Sequence, residues 1–279
     1  MIESSNAKLF TELHQKYNAE TIIMLHGGPG VPMDFAPIVE VLSSKYQVIS
    51  FDQRGTGRSP AKGATYSMDE YIDDIDAVSK YYAVTEFHLF GHSWGGLYAQ
   101  IYAERNPRKV LSLFLSSPSS GTGSVWKATE REVMLFNKRH SGFWGALMMG
   151  LKSIFGMLGS DAAYQSLFKT VLENYNRDFD PFFRASDQMV KNVRAESINK
   201  TRTRILRYPL LKDSIDYGFP IVVTYGDRDI YGDSRQYVKN RFPRATFIDI
   251  ENAGHLAWRH NPETFFRIVR RFYQIEPPR

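Results

Sequence analysis

Apolar residues recur along this chain in short runs, most of them too short for a buried helix. Ile22-Ile23-Met24-Leu25 shows no polar alternation, the pattern of a strand covered on both faces in a parallel sheet. The stretches 47–51, 87–90 and 110–115 repeat it, and 8–14 reads as one more strand before the polar turn 15–20. Between them the period lengthens. With Ser67 or Asp69 as the cap, Tyr71, Ile75, Val78 and Tyr82 fall on one face of a helix. Residues 96–103 predict another helix, stopped by Asn106-Pro107. The order β, α, β, α, β predicts an α/β fold with a mostly parallel, doubly wound sheet and ligands at the carboxyl ends of strands.

From about Ser119 to Tyr217 no strand is predicted, while helical periodicity recurs over 143–158, 162–175 and 187–207. After Pro220 the alternation resumes, with strands at 221–225 and 245–250, a short helix at 234–241 and a terminal helix after Asn261-Pro262. The expected division is core at 1–118, a helical cap at 119–218, and core again at 219–279. Phe143, Trp144, Leu147, Met148, Leu151, Phe155 and Leu158 form an apolar stripe expected to be cap core. Lining an adaptable pocket is its second use, and membrane contact the last.

Composition narrows the class. The 279 residues are 43% hydrophobic and include no cysteine, which excludes disulfides, cysteine catalysis and cysteine zinc sites. The absence of cysteine and of a recognisable leader at the N-terminus makes a cytoplasmic address the expectation. A net charge of +5 without a long basic run speaks against nucleic acid, and no membrane partner is expected. The excess of cations over 191–212 is expected to be a solvated helix face. Gly55-Thr56-Gly57 lacks the third glycine of a dinucleotide loop. No His-Glu-x-x-His or Walker loop occurs, so neither metal nor organic cofactor is expected.

The chemistry gathers at Gly91-His92-Ser93-Trp94-Gly95, between a strand and a helix. A Gly-x-Ser-x-Gly in that setting is a nucleophile elbow: the serine occupies a strained turn with a helix N-terminus behind it. His26-Gly27-Gly28-Pro29-Gly30, also at a strand end, is a shaped loop whose glycine N–H groups suit an oxyanion. A serine nucleophile needs a base, and the base an orienting acid. His255 follows a core strand and is preferred, with His260 as its rival. Asp229 follows another strand and is preferred over Asp227 and Asp233. Asp52, Arg54 and the glycines near them are expected to brace their own loop.

Together, His26-Gly27-Gly28-Pro29-Gly30, Asp52-Gln53-Arg54-Gly55-Thr56-Gly57-Arg58-Ser59, Gly91–Gly96, Asp229 and Ala253-Gly254-His255 resemble the proline iminopeptidase branch of the α/β-hydrolases. The resemblance covers both core segments and fades in the insertion. It implies Ser93 as nucleophile, His255 as base, Asp229 as its partner, and the N–H groups of Gly28 and Trp94 as oxyanion hole. It further implies a serine aminopeptidase acting on short peptides or amides, with an esterase of small apolar substrates as the alternative and a slow ligand-binding protein third. Cap glutamates would hold the substrate ammonium. Glu130, Glu132, Glu173 and Glu196 are available, and Glu173 and Glu196 are the candidates.

Overall fold

A computed structural model describes residues 1–31, 33, 35–182 and 184–276. The elements run β1 (Ile2–Ser4), β2 (Ala7–Leu9), β3 (Thr11–His14), β4 (Thr21–Leu25), α1 (Ala36–Ser43), β5 (Gln47–Phe51), α2 (Met68–Tyr81), β6 (Phe87–His92), α3 (Trp94–Arg105) and β7 (Val110–Ser116). The insertion supplies α4 (Gly123–Met157), α5 (Asp161–Asn176), α6 (Asp187–Val190) and α7 (Ala195–Arg207). The chain closes with β8 (Ile221–Gly226), α8 (Arg235–Arg241), β9 (Thr246–Ile250), α9 (Ala257–His260) and α10 (Pro262–Tyr273).

Seven strands form one sheet in the order β3-β5-β4-β6-β7-β8-β9. Only β3 is antiparallel to its neighbour; the other pairs are parallel. The predicted strand over 8–14 is in fact two. β1 and β2 pair with each other, and β3 joins the sheet edge, because Phe10 breaks the run where the chain leaves one pairing for the next.

Successive residues of β4 point to opposite faces. Ile23 and Leu25 pack with α2 and α3 residues such as Ile75 and Leu97, and Ile22 and Met24 pack with Ile38 of α1 and Phe265 of α10. Both faces are therefore covered, which is why the strand reads as an unbroken apolar run. Ser67 caps α2 and forms a capping box with Glu70, as its position suggests. α1 has no counterpart in the sequence expectations: it is eight residues long, and its N-cap Phe35 makes no side-chain cap bond.

Arg54, expected to brace its own loop, instead ties that loop to α2. Fully buried, it donates from Nε and Nη2 to the two Asp74 carboxylate oxygens at 2.8 and 2.7 Å, and from Nη1 reaches Glu70 at 3.0 Å. Asp52 pairs with Arg58 Nε at 2.9 Å.

Between β7 and β8 the described residues contain helices and no strand. The stretch 187–207 breaks into α6 and α7. The basic run over 191–212 is only partly a solvated face. Arg202 grips Glu130 with two bonds of 2.6 and 2.8 Å, and Arg204 donates to the Thr65 carbonyl.

The apolar stripe corrects its expectation most plainly. Gly142, at φ 66°, interrupts α4, and beyond it Phe143 is 74% exposed, Trp144 75% and Leu158 79%. The inward face carries Gly145, Met149, Ser153 and Gly156 instead. Gly156 lies flat against the Tyr164 ring of α5, where a Cβ would overlap the ring carbons. The Tyr164 ring fills the space beside Gly156, and the aromatic side chains of 143–158 lie on the opposite, outward side.

Candidate active site

Ser93 stands between β6 and α3 with φ 55° and ψ −121°. A side chain enters this left-handed region only under constraint. The constraint is set by its flanks. A Cβ on Gly91 would lie 2.5 Å from the Gly95 carbonyl oxygen, and one on Gly95 would lie 2.5 Å from that of His26. Glycine at both places lets the turn close and leaves Ser93 half-buried at its apex. Trp94 is the first residue of α3, so its N–H has no acceptor within the helix.

The loop after β4 runs beside the serine: a Cβ on Gly27 would sit 3.2 Å from Ser93 Cβ, and Gly28 follows at φ 85°. Gln53 fixes this loop against the elbow. Its side-chain amide donates to the His26 carbonyl at 2.8 Å, and its Oε1 accepts from Trp94 Nε1 at 2.8 Å. Gln53 escaped sequence reasoning, although it lies inside the Asp-Gln-Arg-Gly motif.

Asp229 and His255 come from the loops after β8 and β9, and His255 Nδ1 lies 3.1 Å from Asp229 Oδ1. The same oxygen accepts the Tyr231 N–H, while Ser117 Oγ donates to Oδ2 at 2.6 Å. Burial works to raise the Asp229 pKa, but His255 beside it, then Arg235 and Ser117, outweigh burial and hold it at about 2. The carboxylate therefore stays ionised and fixes Nδ1 of His255 as the donor. Asp227 does something else. Its Oδ1 accepts the Ala253 N–H at 3.0 Å, and the Arg228 N–H meets the Ala253 carbonyl at 2.9 Å. These bonds lash the two loops together.

Of the remaining histidines near the site, His260 and His26 have both ring nitrogens engaged. His260 Nδ1 accepts the Gly254 N–H and its Nε2 donates to Asn176 Oδ1, while its ring stacks on Phe179 at 3.7 Å. Burial, with His255 nearby, lowers its pKa to about 4, so it is a neutral brace at neutral pH. His26 accepts the Gln53 N–H at Nε2 and donates from Nδ1 to Gly27 O. His92 packs edge-on against Trp258 and tilted against His255, each at 4.7 Å between centroids, and burial pushes its pKa well down.

Tyr231 is the site residue with no sequence signal. Its hydroxyl lies 3.2 Å from Ser93 Oγ and 2.7 Å from Ser119 Oγ, and burial raises its pKa to about 12, keeping it protonated. Ser93 Oγ is thus turned toward Tyr231. From the cap, Tyr175 places its ring 5.2 Å from that of His255.

The cap glutamates are largely engaged elsewhere. Glu130 holds Arg202, and Glu132 accepts from Gly232 N, Ser234 N and Ser234 Oγ. Glu196 pairs with Lys200 at 2.6 Å. Among the described residues neither Glu173 nor Glu196 hydrogen-bonds to Ser93, Asp229 or His255. A cleft of about 720 Å³ is lined by His26, Phe35, Met189 and Trp258 among others, and none of Ser93, Asp229 and His255 lines it. No cluster of three or more His, Asp or Glu suited to a metal occurs among the described residues.

Comparison with known proteins agrees with this architecture. The family model described as alpha/beta hydrolase fold matches residues 20–258. A proline iminopeptidase of Clostridioides difficile is 33% identical over 114 residues, 39% of each chain. The proline iminopeptidase PfmaB of Pestalotiopsis fici is 26% identical over 263 residues, 91% of this chain and 92% of its own length. Among solved structures, a carboxylesterase of Nitrososphaera gargenis superposes with a TM-score of 0.71 at 16% identity, covering 99% of this chain and 98% of that one. The proline iminopeptidase of Mycobacterium smegmatis gives 0.69 at 17%, covering 98% and 96%. The chain belongs to the α/β-hydrolase fold family, and its sequence relatives include proline iminopeptidases.

Proposed function

We propose that the protein is a serine hydrolase in which Ser93 is the nucleophile, His255 the general base and Asp229 its orienting acid. The observation that carries this reading is the Asp229–His255 hydrogen bond beside a serine held at positive φ. Ser93 Oγ leaves Tyr231, rotates about χ1 toward His255 and attacks the substrate carbonyl as His255 takes its proton. The N–H groups of Gly28 and Trp94 receive the negative charge on the carbonyl oxygen. His255 then gives the proton to the departing amine or alcohol. Water, deprotonated by His255, releases the acyl group from Ser93.

The leading substrate is a short peptide or amide cleaved behind a free N-terminal residue, proline above all, as the names of the sequence relatives suggest. The alternative is an esterase of small apolar acyl groups. It draws support from the cap: Glu130, Glu132 and Glu196 already have partners, which leaves Glu173 to meet a substrate ammonium.

The test is hydrolysis of aminoacyl anilides, free and N-blocked, beside short and long acyl esters. Ser93→Ala should cut turnover about 10⁶-fold. Cleavage of free-amine anilides that is lost on N-blocking supports the aminopeptidase, and ester turnover alone supports the esterase. A Ser93→Ala protein retaining a tenth or more of wild-type turnover removes Ser93 from the mechanism.

A further inference from the structure

The distal half of α4 is amphipathic in reverse. Phe143, Trp144, Leu147, Leu151, Phe155 and Leu158 share one exposed face, while Gly145, Met149, Ser153 and Gly156 lie on the less exposed side, where Met149 and Gly156 meet α5. Residues 143–158 span about 24 Å at the helical rise. Large contiguous apolar patches are rare on proteins that remain alone in water.

Charge points to the occupant. Residues 133–160 contain no Asp or Glu, but include Lys138, Arg139 and Lys152. Arg131, Lys138 and Arg139 are exposed on the proximal half of the same helix. The whole insertion, 119–218, has fifteen Lys and Arg against ten Asp and Glu, whereas the rest of the chain has twenty of each. The helix that bears the apolar face, α4, itself holds five Lys and Arg against two Glu. An aromatic and aliphatic face, bordered by cations and free of acids, is what an anionic bilayer surface binds.

We infer that the distal half of α4 is a docking face for an anionic lipid bilayer, on which it lies with its apolar side chains among the headgroups. No helix of the described residues is long and apolar enough to cross a membrane, so the contact is superficial. α5 connects this face to the site: it packs on α4 through Tyr164 and carries Tyr175 against His255. The inference stands apart from the choice between peptide and ester substrates.

Flotation of the full-length protein with phosphatidylcholine vesicles, with and without phosphatidylserine, tests it. The wild type should float with the anionic vesicles, and raised salt should release it. Phe143→Gln/Trp144→Gln/Leu147→Gln should weaken binding about tenfold or more, since all three side chains insert. Lys138→Glu/Arg139→Glu, which leaves the apolar face intact, should weaken binding to anionic vesicles only. Absence of flotation by the wild type overturns the inference, as does flotation unchanged in both variants. A wild-type dimer in solution that the triple variant converts to monomer would instead assign the face to self-association, and also overturns it.

Discussion

Two helices that each use glycine for close packing behave in opposite ways. At the start of α3, Gly95 lets the backbone of β4 press against the elbow, and the large side chains Trp94, Leu97 and Tyr98 go inward. In the distal half of α4, Gly156 lets the Tyr164 ring of α5 press in, and Phe143, Trp144 and Phe155 go outward. Glycine buys proximity in both, but to different ends. In the elbow it sharpens a turn that is itself surrounded by core. In the cap it makes room for the Tyr164 ring of the neighbouring helix, while the large apolar residues on the opposite side of α4 face away.

This contrast can be broken at several points. The largest expected effect is on the elbow side. Asp229→Asn keeps the shape of the pair but lets Nδ1 of His255 become the acceptor, and turnover should fall about 10⁴-fold with thermal stability little changed. A loss of less than tenfold would separate Asp229 from the reaction.

Next comes a paired substitution. Gly95→Ala sets a Cβ against the His26 and Leu25 carbonyl oxygens and should cost about 3 kcal/mol or more, because backbone on both sides must yield. Gly150→Ala, in α4, meets nothing within 4 Å and should stabilise by up to about 1 kcal/mol through helix propensity. Denaturant unfolding of the two variants measures both, and equal effects would erase the contrast.

The smallest effect is one of pH, and it concerns the seam between cap and core. His260 has its pKa lowered to about 4 when folded, against about 6.5 for an unfolded histidine. Between these values the unfolded chain holds the extra proton, so stability falls as pH drops from about 6.5 and this loss is complete near pH 4. Allowing for partial solvent screening, His260 contributes about 1–2 kcal/mol to that slope. His260→Gln should flatten the dependence of unfolding free energy on pH by that amount, and an unchanged slope would mean that His260 titrates alike in both states.

The sequence was legible where the determinants are local. The Ser93 turn is written in five consecutive residues, and β4, β6 and β7 announce burial on two faces by lacking polar alternation. Asp229 and His255 follow strands, and the carboxyl edge of a parallel sheet is where such loops meet. Tyr231 and Ser117 carry no such mark. Each acts on a group more than a hundred residues away, Tyr231 on Ser93 and Ser117 on Asp229. A helical stripe has a different gap. Periodicity shows that apolar residues share one face but not which face meets water, and only the small residues opposite, Gly145, Ser153 and Gly156, carry the hint.

The bonds from Asp227 Oδ1 and the Arg228 N–H to Ala253 join the two loops that hold Asp229 and His255. Their consequence concerns how the chain tolerates change in length. A residue inserted between Asp227 and Asp229, or between Ala253 and His255, shifts the acid against the base by about 3.5 Å, more than the reach of a hydrogen bond. Among the described residues the insertion makes no hydrogen bond to that pair: it meets His255 through the Tyr175 ring and His260 through Phe179 and Asn176. Segments there can lengthen, shorten or be exchanged while Asp229 and His255 keep their register.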